Sequence, residues 1–101
     1  MPFTKVLPLS KLPPGAAAEV RAGGRVFALC NVGGTVHAID GVCPHAGGPL
    51  GHGALHGHMI VCPFHAWEFD CRTGANDFDP DIRVQTFAVR VEDGDIEIDI
   101  P

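Results

Sequence analysis

The stretch "CPHAGGPLGHGALHGHMIVCPFHAW", Cys43 to Trp67, gathers two cysteines and five histidines into a quarter of a 101-residue chain. Cys43 and His45 stand two positions apart, and Cys62 and His65 three apart, each pair in a loop that contains a proline. Zinc fingers and ribbons draw two like ligands from one tight knuckle, because one turn then clamps one tetrahedral ion. Here each loop offers one thiolate and one imidazole. If each gives its thiolate to one iron and its imidazole to a neighbouring iron, the two loops together hold a two-iron cluster with the cysteines on one side and the histidines on the other. The competing reading of the quartet is a structural zinc site in an interaction module.

On both sides of this segment the pattern is that of β-strands. Thirteen glycines and nine prolines leave no window long enough for a capped amphipathic helix. "AEVRAGGRVFALCNVGGTVHAID" holds three strand-like runs separated at Gly23-Gly24 and Gly33-Gly34, pairs that supply positive φ in hairpin turns. The tail "VQTFAVRV" turns at Asp93-Gly94 and returns as "DIEIDI", where Ile96, Ile98 and Ile100 alternate with Glu97 and Asp99. That period of two predicts one face in the core and the other in solvent. "HMIVC" and "AWEFDC" read as short strands joined through "PFH", and "CRTGAND" as a turn. The predicted class is all-β: a small antiparallel sandwich or barrel built from both ends, about residues 1–42 and 71–101, with an inserted metal-binding lobe at about 43–70.

A chain of this length has room for one domain and one core. Hydrophobic residues make up 46% and charged residues 19%, an ordinary balance for a folded domain. The net charge of -5 argues against nucleic acid and anionic membrane as partners, and favours basic protein surfaces. "MPFTKVLPLSKLPPG" has no apolar run of secretory length, and no stretch approaches a membrane span, so a cytoplasmic protein is expected. In a reducing compartment four cysteines point to metal binding or burial rather than disulfides.

"CPHAGGPLG" followed by "VCPFHAWEFD" resembles the cluster-binding boxes of Rieske [2Fe-2S] proteins. "VHAIDGVCPH" and "QTFAVRVEDGDIEI" are similar to the flanking strands of small soluble Rieske ferredoxins, both those of ring-hydroxylating oxygenase systems and the small subunits of assimilatory nitrite reductases. The resemblance covers nearly the whole chain and implies a single Rieske domain over residues 1–101 with one [2Fe-2S] cluster. It implies that Cys43 and Cys62 hold the buried iron, and that His45 and His65 hold the outer iron with their far edges toward solvent. The function implied is one-electron transfer, not catalysis: from a flavin-containing reductase to a terminal oxygenase, or within a larger reductase. A catalytic Rieske oxygenase needs a mononuclear-iron domain for which this chain has no room.

High-potential members of the family carry an inter-loop disulfide, and serine and tyrosine donors after the second histidine. The corresponding positions here are Gly48 and Phe64, and Trp67 and Phe69, so the resemblance implies a low-potential cluster. Trp67, Phe64 and Phe69 are expected to be buried as a shield against water. His52, His56 and His58, among Gly51, Gly53 and Gly57, read as solvated loop residues rather than a second metal site. Cys30 reads as an inert core thiol; Cys71, beside Arg72, is either packed or reactive. Pro80 resembles the third, proline-containing loop of the family. Asp77, Asp79 and Asp81 then form either an acidic docking patch or a solvated loop.

Overall fold

The computed structural model describes residues 3–45, 47–64 and 66–100. Ten strands form within them: β1 Phe3–Pro8, β2 Ala17–Ala22, β3 Arg25–Val32, β4 Thr35–Asp40, β5 Ala54–His56, β6 Met59–Val61, β7 Glu68–Asp70, β8 Thr86–Phe87, β9 Val89–Glu92 and β10 Asp95–Asp99. All pairings are antiparallel, in sheets ordered β1-β10-β9, β2-β3-β4-β8 and β5-β6-β7. Apart from strands there are two short 3₁₀ turns, Leu9–Lys11 and Leu50–His52. The all-β expectation holds. Among the described residues no helix is long and apolar enough to cross a membrane.

The β2-β3-β4 meander follows directly from its glycines. Gly23 and Gly24 stand at φ 57 and 75, and Gly33 and Gly34 at 59 and 100, the left-handed backbone that lets a two-residue turn match the twist of the strands it joins. The run "VFALC" in β3 is apolar without alternation because both faces of that strand are covered. Phe27 and Leu29 enter a core with Leu12, Ile96 and Ile98; Ala28 and Cys30 enter a second core with Ile39, Leu50, Ile60, Phe69 and Cys71. The second core is where the β5-β6-β7 sheet, inserted in the chain between β4 and β8, rests on the rest of the molecule.

The tail departs from its expected form in two ways. "VQTFAVRV" divides between two sheets: β8 pairs with β4, and β9 pairs with β10. Within β10, Glu97 does not face solvent: it is only 4% exposed, although Ile96 and Ile98 are buried as expected. β10 is the central strand of its sheet, and Arg90 Nε donates to Glu97 Oε1 at 2.8 Å while the Arg90 guanidinium lies 4.4 Å from the Phe3 ring centroid. A carboxylate with a cationic donor tolerates burial that an unpaired one would not.

Candidate metal centre

Cys43 and His45 occupy the tip of a tight hairpin. Leu50 N donates to Gly41 O (3.0 Å), Val42 bridges Pro49, and Cys43 N donates to Gly48 O (2.9 Å). The base of this hairpin is pressed onto the scaffold so closely that only glycine fits. A Cβ on Gly41 would stand 2.7 Å from Val26 Cγ1, and one on Gly51 would stand 2.6 Å from Glu19 Cα.

The second loop is the turn between β6 and β7. The ladder that pairs Val61 with Glu68 continues as Cys62 N donating to Trp67 O at 2.6 Å, and Ala66 adopts φ 59 to close the turn. A non-glycine residue in the left-handed region costs about 1–2 kcal/mol, so it persists where the surroundings enforce it. His65, the fourth ligand candidate, lies outside the described residues.

Together the two hairpins bring the cysteines together. Cys43 and Cys62 are each 1% exposed, and their thiols face each other. Burial pushes the Cys62 thiol up, the Phe64 N–H pulls it down, and the Cys43 thiol adds to the rise. That N–H lies 3.4 Å from Cys62 Sγ. Gly48 sits between the loops, where a Cβ would come within 2.7 Å of Cys62 Sγ and 3.0 Å of Phe64 Cγ. Two buried sulfurs, a backbone donor aimed at one of them, and a cradle that a single carbon would fill suit a soft, thiolate-bound metal group. They fit the sulfur side of a [2Fe-2S] cluster.

His45 is exposed, and its ring stacks on Trp67 with centroids 4.0 Å apart and planes 6° apart. Trp67 in turn meets the edge of Phe78 at 4.9 Å and 87°. Phe69 is fully buried and Trp67 half-buried, but Phe64 is 48% exposed, so the expected three-ring shield is incomplete. Phe64 lies over Gly48, whose added Cβ would stand 3.0 Å from Phe64 Cγ.

His52 and His56 are exposed and His58 is partly so, with two of the three near a carboxylate. His52 Nε2 lies 3.4 Å from Glu19 Oε2, and His58 Nε2 lies 3.7 Å from Asp70 Oδ2; His56 is exposed on β5. Asp70 is held below the usual carboxylate range by hydrogen bonds from the Arg72 side chain. Cys30 and Cys71 are buried side by side, and the hydrogen bond between them, with burial, drives the Cys30 thiol far above its ordinary range. Cys71 is therefore a packed thiol, 1% exposed, not a reactive one.

Asn76 was not singled out by sequence reasoning. It is 3% exposed, donates through Nδ2 to Glu68 O (3.1 Å) and accepts at Oδ1 from Phe78 N (3.1 Å) and Asp79 N (3.0 Å). This one side chain ties the third loop to β7 beside Trp67. The only signal in the sequence is an asparagine opening a turn, which is common to most turns.

Residues 3–88 match the family model of the Rieske [2Fe-2S] domain. The chain is 38% identical over 99 residues to the 3-phenylpropionate/cinnamic acid dioxygenase ferredoxin subunit of Escherichia coli (strain K12), covering 93% of this chain and 90% of that protein. It superposes with a TM-score of 0.85 and 32% identity on a chain from the complex of reduced oxygenase and oxidized ferredoxin in carbazole 1,9a-dioxygenase, covering 95% and 91% of the two chains. A Mycobacterium tuberculosis protein described as an NADH-dependent nitrite reductase small subunit gives a TM-score of 0.86 at 27% identity, with 96% and 93% covered. On the strength of the matched domain and of the paired, buried thiols beneath an exposed histidine, the chain belongs to the Rieske [2Fe-2S] domain family.

Proposed function

We infer that this protein is a one-electron carrier, in which Cys43, Cys62, His45 and His65 hold one [2Fe-2S] cluster, and that the ligand lobe spans about residues 43–70 of a single domain over residues 1–101. The observation that supports it most is the asymmetry of the ligand candidates: Cys43 and Cys62 are sealed in the core, whereas His45 lies at the surface. When bound, the cluster accepts and releases one electron without chemistry at a substrate. The protein's own groups set the conditions. The Phe64 N–H stabilises negative charge on Cys62 sulfur, Gly48 keeps the loops in contact, and His45 offers the short route to a partner.

The partners supported are a flavin-containing reductase as donor and a terminal oxygenase as acceptor, as in the ferredoxin systems this chain resembles. Of the four large hydrophobic residues exposed among the described residues, Val42, Phe64 and Phe78 adjoin the ligand loops. Apolar contact at this end, with Asp77 and Asp81 exposed nearby, suits a partner with a basic rim. Asp79 contributes less to such a rim, because it is less exposed than Asp77 and Asp81. The likeness to a nitrite reductase small subunit supports a second reading, a resident subunit of a larger reductase, and co-purification with a large subunit would favour it. A cytoplasmic location fits four reduced cysteines.

Purified protein should be red-brown with about two irons and two acid-labile sulfides per chain, and reduction should give a Rieske-type electron paramagnetic resonance signal. Colourless protein with stoichiometric zinc would overturn the reading. Voltammetry should place reduction near the low end of the Rieske range, about -150 mV and not about +300 mV, because neither Trp67 nor Phe69 offers a hydroxyl donor.

A further inference from the structure

We propose that Trp67 is a positioning residue that fixes the plane of the His45 ring, and that Phe78, held by Asn76, braces it in that task. The proposal rests on the reading of His45 as a cluster ligand. An imidazole bound through one nitrogen can swing about that bond unless another contact restrains it, and the restraint shapes the electronic structure of the metal. His45 sits at the exposed tip of a hairpin closed by Cys43 N to Gly48 O and Gly47 N to Cys43 O, so its backbone is held while the ring plane is a separate degree of freedom.

The indole supplies the restraint. A face-to-face contact at 4.0 Å and 6° leaves the imidazole one plane in which to lie. The indole, packed against the core, also meets Phe78, whose ring stands against it at 87°. Phe78 is 61% exposed, so its ring against the indole is held from its own backbone rather than by surrounding core. Its place is set by its backbone: Phe78 N donates to Asn76 Oδ1, and Asn76 Nδ2 reaches back to Glu68 O, the carbonyl of the residue next to Trp67. The restraint thus runs from a buried amide, through the third loop, across two rings, to the ligand. A side chain that merely kept water out would need neither the parallel stack nor the perpendicular brace.

The test uses the holoprotein, reduced with dithionite. Trp67→Ala, Trp67→Phe and Phe78→Ala are compared with the parent by iron content, paramagnetic resonance line width and the hyperfine couplings of the coordinated imidazole nitrogens. With iron retained, Trp67→Ala should broaden the lines and spread the couplings, because the His45 plane becomes heterogeneous. Trp67→Phe, which keeps a stacking face, should restore values close to the parent, and Phe78→Ala should lie between. Parent-like lines and couplings in Trp67→Ala would overturn the proposal, as would equal broadening in Trp67→Phe and Trp67→Ala. If Trp67→Ala fails to hold iron, Phe78→Ala decides, since it removes the brace and leaves the indole: broadening supports the proposal and parent-like lines overturn it. A parent protein lacking the Rieske signal, or His45→Ala retaining it, would defeat the ligand assignment, and this proposal with it, before any Trp67 variant is read.

Discussion

Cys62→Ala should yield colourless protein with almost no iron, against about two irons per chain in the parent. The substitution takes one of two thiolates from a site where both are buried in contact, and no other cysteine can replace it: Cys30 and Cys71 are occupied with each other in the core beneath. His65→Ala should likewise lose the parent spectrum, if His65 is the fourth ligand as proposed. His56→Ala is the control, because His56 is exposed on β5 and its loss should leave iron, sulfide and colour unchanged. Iron and sulfide analysis of the three variants decides. Loss of iron in His56→Ala with retention in His65→Ala would refute the ligand assignment.

Gly53→Ala should be severely destabilising although it adds one methyl group and its φ of -78 suits any residue. A Cβ there would stand on Val61 O and 2.9 Å from Val61 C, with Leu50 O at 3.1 Å. These are backbone atoms that cannot swing aside, and Val61 leads directly into Cys62. Overpacking of this kind costs typically about 1–3 kcal/mol, sometimes more; in a domain of this size each kcal/mol lowers Tm by about 4–8 °C. A fall in Tm of about 10 °C or more, together with reduced iron loading, is the expected result. Gly57→Asn makes the comparison, since Gly57 has φ 61, a region asparagine tolerates, and nothing within 4 Å of its added carbon. It should unfold within a few degrees of the parent. Equal stability of Gly53→Ala and the parent would show that the Leu50–Gly53 turn yields easily.

The parts legible in the sequence were those set by local chemistry. Paired glycines at 23–24 and 33–34 fix the meander, and the C-x-H and C-x-x-H spacing fixes which loops converge. What escaped reading depends on distant strands. Glu97 alternates as a solvent-facing residue should, but its strand lies between two others and Arg90 reaches it across the sheet. His52 and His58 lie in turns, as they read, but their nearness to Glu19 and Asp70 arises only once the lobe is folded back. Phe64 reads as part of a buried shield, yet it is 48% exposed. Asn76 carries no local mark of a residue on which three backbone groups depend.

The pairing of β1 with β10 sets an order of assembly. Phe3 lies opposite Asp99, so the ladder of β1 cannot close until β10 has been made. The rungs of β5, β6 and β7, by contrast, join residues that follow one another closely, as in Ala54 with Val61 and Met59 with Asp70. Closing short loops is fast and closing long ones slow, since the entropy lost rises with the length of chain enclosed. On the ribosome both ligand hairpins therefore emerge and can zip up while β1 is still an unpaired edge. The length of chain enclosed makes the β1–β10 ladder the slower of the two to close, after the short-range rungs of β5, β6 and β7.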